Sequence, residues 1–292
     1  FIDGGGTYLD TANVYAGGRS EEIVGAALKG SRDNLVVASK AGAQLGDRPR
    51  HSHAGLTRTA VLAAIDGSLR RLGTDYIDVW YLHGPDRLTP IEESWAAVDI
   101  ALRAGKIRAI GLSNFPAWAA AEAVASAPAP IAAAQYQYSL VCRDIEDDFR
   151  DGLRRHRIAL HAWAPLGQGF LTGKYGRDAE PTEGRIARAA VSHEEHWTRR
   201  DTDRNWATLA TVREVAERRD CTPGQVALAW VLARSAFAVA GVRTDRQLAE
   251  TLAAAELRLD DADLALLDEV SRPPRRYPFR VLDSYFERRV EN

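Results

Sequence analysis

Methionine is absent from the 292 residues, and cysteine occurs only twice, at Cys142 and Cys221. Two cysteines this far apart match neither a disulfide framework nor a zinc-ligand spacing, so no metal is expected. They predict a reducing, cytoplasmic setting. No apolar run approaches the roughly 20 residues needed to span a bilayer, and no signal peptide is visible. An excess of one charge is also lacking. Lys and Arg number 38 against 40 Asp and Glu, a net −2, which points to neither nucleic acid nor a membrane as a partner. No Gly-x-Gly-x-x-Gly follows a strand, so a Rossmann domain is not supported. Linkers rich in Gly, Ser or Pro are missing as well. A single domain over residues 1–292 is expected, and a (β/α) barrel often runs to about 250 residues as one domain.

What is present is an alternation. Short apolar runs at Thr7–Asp10, Leu35–Ser39, Ile77–Leu82, Ile107–Leu112, Ile131–Gln137, Ile158–Trp163 and Phe237–Ala240 are separated by longer amphipathic segments. Leu35-Val36-Val37-Ala38 carries almost no polar alternation, as parallel strands buried on both faces do. Thr57–Leu72 places Val61, Ala64, Ile65, Leu69 and Leu72 close to a 3.6 period, with Thr57 as N-cap and Gly73 as the C-terminal stop. Ile91–Ala104 ends at Gly105 in the same manner. The pattern is α/β, a (β/α)8 barrel with seven strands visible. The chain begins at Phe1, without Met, inside what reads as the end of a helix. A chain truncated at its N-terminus, its first barrel strand missing, is therefore expected, with open edges at Thr7–Asp10 and Phe237–Ala240. The long charged stretch Gly167–Thr202 reads as a lid or binding loop.

Active sites of such barrels sit at the C-terminal ends of the strands. Asp10, Lys40 and His83 close the first three runs, Ser113 and Asn114 follow the fourth, Gln135 lies near the end of the fifth, Trp163 ends the sixth and Arg243 follows the seventh. Singly, each has an ordinary structural role: a cap, a solvated charge, a core histidine or a core aromatic. A polar or aromatic group at nearly every strand end is harder to dismiss. His193-Glu194-Glu195-His196 lacks the His-Glu-x-x-His spacing of a zinc site and reads as a solvated face. His51 and His53 read as loop surface near the expected mouth.

Several stretches resemble the aldo-keto reductase family. They are Leu9-Asp10-Thr11-Ala12-Asn13-Val14-Tyr15 with Ser20-Glu21-Glu22-Ile23-Val24-Gly25, then Ala38-Ser39-Lys40, then Tyr76–His83. Gly105–Phe115 is the most diagnostic; Trp163–Gly167 with Leu171–Tyr175, and Gly241–Thr244 with Gln247–Glu250, complete the match in family order. The resemblance implies Asp10, Tyr15, Lys40 and His83 as catalytic residues. It also implies Ser113, Asn114 and Gln135 on a nicotinamide carboxamide, and Trp163 stacked on the ring. Ala164, Leu166, Gly241, Arg243, Gln247 and Glu250 would line the rest of the cofactor. Arg243, with Arg246 as a competitor, favours NADPH over NADH through its guanidinium. Thr251 stands where the family usually has Asn.

The chemistry fits these residue types. Carbonyl reduction needs a hydride at carbon and a proton at oxygen. A free tyrosine, with a pKa of about 10, is a reluctant donor at neutral pH, and a neighbouring lysine cation favours the tyrosinate. Asp10 would keep Lys40 charged, and His83 would position the carbonyl. Three other readings stay open: a cofactor-holding regulatory protein akin to potassium-channel β subunits, an aldolase-type barrel with Lys40 as Schiff-base lysine, and an inactive fragment. The partner expected is a small aldehyde or ketone, selected by loops 42–55 and 167–202. No segment reads as a docking surface, and no oligomeric state is legible.

Overall fold

In a computed structural model of the chain, the described residues are 1–42, 55–177, 180–188 and 196–285. His51, His53 and His193 lie outside them. Seven strands are formed, β1 (Tyr8–Asp10), β2 (Val36–Ala41), β3 (Ile77–Leu82), β4 (Ile107–Ser113), β5 (Ile131–Gln137), β6 (Ala159–Trp163) and β7 (Phe237–Val239). They coincide with the seven apolar runs to within two residues at each end. The main helices are α1 (Arg19–Ala27), α2 (Arg58–Leu72), α3 (Ile91–Arg103), α4 (Ala117–Ser126), α5 (Arg150–Arg155), α6 (Trp197–Arg200), α7 (Asp203–Arg218), α8 (Pro223–Leu232), α9 (Asp245–Ala253), α10 (Asp261–Ser271) and α11 (Phe279–Tyr285). The chain divides into two compact units, residues 1–135 with 155–160, and residues 136–154 with 161–292. No helix among the described residues is long and apolar enough to cross a membrane.

In the first unit, β1 to β5 pair in sequence order, all parallel. Each return passes through a helix, as parallel pairing requires. Asp10 pairs with Ala38, Lys40 with Tyr81, Tyr81 with Gly111, and Ser113 with Gln135. Ala38, Tyr81 and Ala133 form a buried cluster, joined by Tyr8, Val79 and Ala159. Gly111 is required by this packing, because a Cβ there would lie 2.4 Å from the Tyr81 ring. Tyr8 and Tyr81 share a hydroxyl hydrogen bond of 3.2 Å. Burial pushes both phenols far above their usual range, so the floor of the cluster is uncharged.

Local sequence explains the helix ends. Thr57 caps α2 by accepting from the Ala60 N–H at 3.3 Å, and Gly73 stops it in a left-handed conformation, φ 62°. Trp95 on α3 donates to the Ala123 carbonyl on α4 at 3.1 Å, tying neighbouring helices together.

In the second unit, β6 pairs with β7 in parallel, His161 opposite Phe237 and Trp163 opposite Val239. Thr222 and Gln225 form a reciprocal capping box at the start of α8, with Pro223 in the first turn. The stretch expected to be irregular contains short turns of helix, Gly167–Thr172 and Ile186–Arg188, besides α6. Trp197 of α6 packs on Phe170, Tyr175 and Trp206. These aromatics join the described parts of a stretch whose charged composition reads as loop.

Candidate active site

The site in the first unit is built on a buried ion pair. Lys40 is inaccessible to solvent and Asp10 is only 8% exposed, with 2.5 Å between Lys40 Nζ and Asp10 Oδ1. Lys40 Nζ also donates to the Thr11 carbonyl at 2.8 Å. Because Asp10 is level with Ala38, Lys40 stands one pleat further along and faces the same side. An ammonium this deep is tolerable only when paired and hydrogen-bonded. Asp10 Oδ2 accepts from Gln135 Nε2 at 2.7 Å, so both carboxylate oxygens are engaged.

Tyr15 and His83 stand over this pair. The Tyr15 ring centroid is 5.0 Å from Lys40 Nζ. The His83 ring meets the Tyr15 ring edge-on, with centroids 5.8 Å apart. His83 follows β3, and its N–H donates to the Ala41 carbonyl at 2.8 Å. Burial, reinforced by the Lys40 charge, lowers the His83 imidazole to about 4. Its Nδ1 is buried and makes no hydrogen bond among the described residues. His83 is therefore neutral at physiological pH, with one N–H to donate.

Ser113, Asn114 and Gln135 interlock beside this group. Ser113 Oγ donates to the Gln135 carbonyl at 3.0 Å, and Asn114 Nδ2 donates to Ser113 Oγ at 3.0 Å and to the His83 carbonyl at 3.1 Å. Asn114 adopts a left-handed φ of 59°, which Asn tolerates better than most residues. The first unit thus brings together Asp10, Tyr15, Lys40, His83, Ser113, Asn114 and Gln135.

The depressed imidazole has a consequence for stability. The unfolded value is about 6.5, so between pH 6.5 and 4 the unfolded chain binds more protons than the native one. Stability contributed by neutral His83 is complete above about pH 6.5 and is lost as pH falls through about 4, amounting to about 3 kcal/mol at most. His83→Gln is expected to flatten the stability–pH curve in that window. A curve of unchanged slope would show that the imidazole is not held neutral.

The second unit holds a pocket of about 410 Å³. Ala164, Leu166, Gly241, Arg243, Gln247 and Glu250, all expected at the cofactor, line it. Trp163 ends β6 half-buried and is not among the lining residues; its carbonyl accepts from the Tyr138 N–H at 3.2 Å. Thr244 caps α9 by accepting from the Gln247 N–H at 3.2 Å, and Gln247 Oε1 accepts the Arg243 N–H at 2.9 Å. Arg246 pairs with Glu250 at 2.9 Å and does not line the pocket, whereas Arg243 does. Lys174 and Arg185 line it too, giving three cations around one cavity. Sequence reasoning singled out neither for this role, although Lys174 lies inside the quoted Leu171–Tyr175 stretch. A donor set of this kind suits the phosphates of a dinucleotide.

The model of the Aldo/keto reductase family matches residues 1–272. The chain is 31% identical over 274 residues to a Schizosaccharomyces pombe aldo-keto reductase whose name specifies NADP(+), covering 91% of this chain and 79% of that protein. It is 32% identical over 284 residues to the NADH-specific methylglyoxal reductase of Escherichia coli, covering 92% and 84%. A thermostable aldo-keto reductase solved with the inhibitor epalrestat superimposes with a TM-score of 0.74 at 30% identity, over 92% of this chain and 84% of that one.

Proposed function

We propose, from the premise that this chain belongs to the aldo/keto reductase family and has its (β/α)-barrel fold, that it reduces an aldehyde or ketone to the alcohol with NADPH and with Tyr15 as general acid. The observation that carries the reading is the placement of Tyr15 over the buried Lys40–Asp10 pair with His83 at its edge. A nicotinamide, when bound, supplies the hydride. Tyr15 gives its hydroxyl proton to the carbonyl oxygen, and the Lys40 ammonium stabilises the phenolate left behind. Asp10 keeps Lys40 charged and in place. His83, neutral, donates a hydrogen bond that orients the carbonyl oxygen but has no extra proton to give. Lys40, donating to both Asp10 and Thr11, is disposed as a cation and not as a Schiff-base nucleophile.

Ser113, Asn114 and Gln135 are assigned to the nicotinamide carboxamide, and Trp163 to the face of the ring. In the second unit, Ala164, Leu166, Gly241, Gln247 and Glu250 are assigned to the remainder of the cofactor, with Arg243 on the 2′-phosphate. The choice of NADPH over NADH rests on the cationic lining of that pocket, Lys174, Arg185 and Arg243. Arg243→Ala is expected to weaken NADPH binding about 10–150-fold, the equivalent of about 1.5–3 kcal/mol for one charge-assisted bond, and to leave NADH nearly unaffected. Titration of both cofactors checks this; equal losses would move Arg243 off the 2′-phosphate. The proposed setting is the cytoplasm, where this cofactor is at hand and the thiols of Cys142 and Cys221 stay reduced. The test of the whole reading is NADPH oxidation against a panel of aromatic and aliphatic aldehydes and ketones. Cofactor binding without turnover of any of them would sink it.

A further inference from the structure

Tyr15 stands on a turn that packing alone does not hold. Its side chain is 40% exposed. The three residues after it, Ala16, Gly17 and Gly18, all have positive φ, at 50°, 64° and 94°. The left-handed region is strained for Ala16, which carries a Cβ. A phenol on such a turn keeps its place only if the far end of the turn is fixed.

The far end is the start of α1, and three side-chain hydrogen bonds fix it. Thr11 Oγ1 donates to Ser20 Oγ at 2.8 Å, closing the turn at its base. Glu21 has no exposed surface, and its carboxylate accepts from Ser39 Oγ at 2.5 Å and from Arg71 Nε at 2.6 Å. Arg71, reaching over from α2, lies against Gly18, where a Cβ would come within 2.8 Å of Arg71 Cδ. Ser39 is the residue before Lys40 in β2, on the opposite face of the strand. A carboxylate this deep is costly unless both oxygens are satisfied. Here both are, one of them by the strand that carries the lysine.

We infer that Glu21, through Ser39, is a positioning residue for the proton donor. It clamps the far end of the Tyr15 turn to the Lys40 strand and so sets the separation of phenol and ammonium. This rests on the reading of Tyr15 as general acid and goes beyond it by naming what aims that acid. Glu21 and Ser39 touch the reaction only through Tyr15 and Lys40. Misplacing a reacting group by about 1 Å can cost as much as about 10²-fold in rate.

The experiment compares Ser39→Ala, Glu21→Ala and Glu21→Gln in carbonyl reduction with NADPH. Ser39→Ala and Glu21→Ala are each expected to lower kcat about 10-fold or more, with KM for the carbonyl and NADPH affinity little changed. The solvent deuterium isotope effect on kcat should rise, because proton donation becomes more limiting. Glu21→Gln keeps an acceptor toward Arg71 and can turn its amide N–H to Ser39 Oγ, which then accepts, so the link survives with its direction reversed and most of the turnover should be retained. The double variant Ser39→Ala/Glu21→Ala should be no slower than Glu21→Ala, since both cut the same link. If Glu21→Ala does not fold, Ser39→Ala carries the test, because it leaves the Glu21–Arg71 pair intact. Unchanged kcat and isotope effect in Ser39→Ala, whatever its melting temperature, would overturn the inference. Tyr15→Phe in the same assay separates the two claims. If it retains turnover, the acid assignment falls and the positioning role with it. If it is inactive while Ser39→Ala is normal, only the role of Glu21 is lost.

Discussion

Tyr15→Phe is expected to lower turnover by about 10²–10⁴-fold, the usual worth of a general acid, and to leave NADPH affinity nearly unchanged. The two effects separate because the hydroxyl is needed only where negative charge develops on the carbonyl oxygen. An interaction realised only in the transition state acts on kcat and kcat/KM alike and leaves ground-state binding alone. The ring itself remains in Phe, so its edge contact with His83, centroids 5.8 Å apart, can persist. Steady-state kinetics together with a fluorescence titration of NADPH make the comparison. His83 cannot substitute as donor near neutral pH, since its imidazole is held down to about 4 by burial and by the Lys40 charge. Turnover in the phenylalanine variant close to that of the parent would remove Tyr15 from the acid role.

The second large effect is on stability. Asp10→Ala leaves the Lys40 ammonium inaccessible to solvent with the Thr11 carbonyl, 2.8 Å away, as its remaining acceptor among the described residues. Removing one partner of a buried ion pair typically costs about 3–5 kcal/mol, because the other charge stays buried and uncompensated. For a domain of this size the melting temperature should fall by roughly 6 °C or more. Replacing both partners, as in Asp10→Leu with Lys40→Met, should recover much of that loss, since an apolar pair carries no desolvation penalty. The double variant should nonetheless be inactive. Thermal unfolding of the single and double variants is the measurement; a double variant less stable than Asp10→Ala would contradict the desolvation account.

The strands, and the placing of Asp10, Lys40 and His83 at their ends, were legible in the sequence for a common reason, whereas Tyr15, on a turn beyond β1, was marked only by the family resemblance. Runs such as Leu35–Ala38 are apolar on both faces, and the polar residue that closes a run marks the strand end, where active sites of such barrels lie. The boundaries of β3 and β5 agree with the apolar runs to the residue. Contacts spanning many residues were not legible. The Gln135–Asp10 bond joins positions 125 apart, and no local pattern announces it. Glu21 reads as an ordinary acidic residue in the first turn of a helix, favoured there by the helix dipole; only the fold reveals that Ser39 and Arg71 enclose it. Lys174 and Arg185 come from the charged stretch after β6, where a lysine that lines a pocket looks like one that faces water. The competition between Arg243 and Arg246 is likewise a matter of side-chain direction. Arg246 turns to Glu250 one helical turn on, and Arg243 does not.

The uncharged Tyr8–Tyr81 pair bears on which substrates the site can prefer. Asp10 and Lys40 cancel, His83 is neutral at physiological pH, and the Tyr8–Tyr81 pair adds no charge. The candidate site is therefore locally electroneutral, a dipole and not a monopole. It exerts little long-range pull on a substrate of either sign, because the field of a compact dipole falls off faster with distance than that of a single charge. On the proposed function, an aldehyde bearing a carboxylate and one bearing an amine are expected to reach the bottom of such a site on nearly equal electrostatic terms.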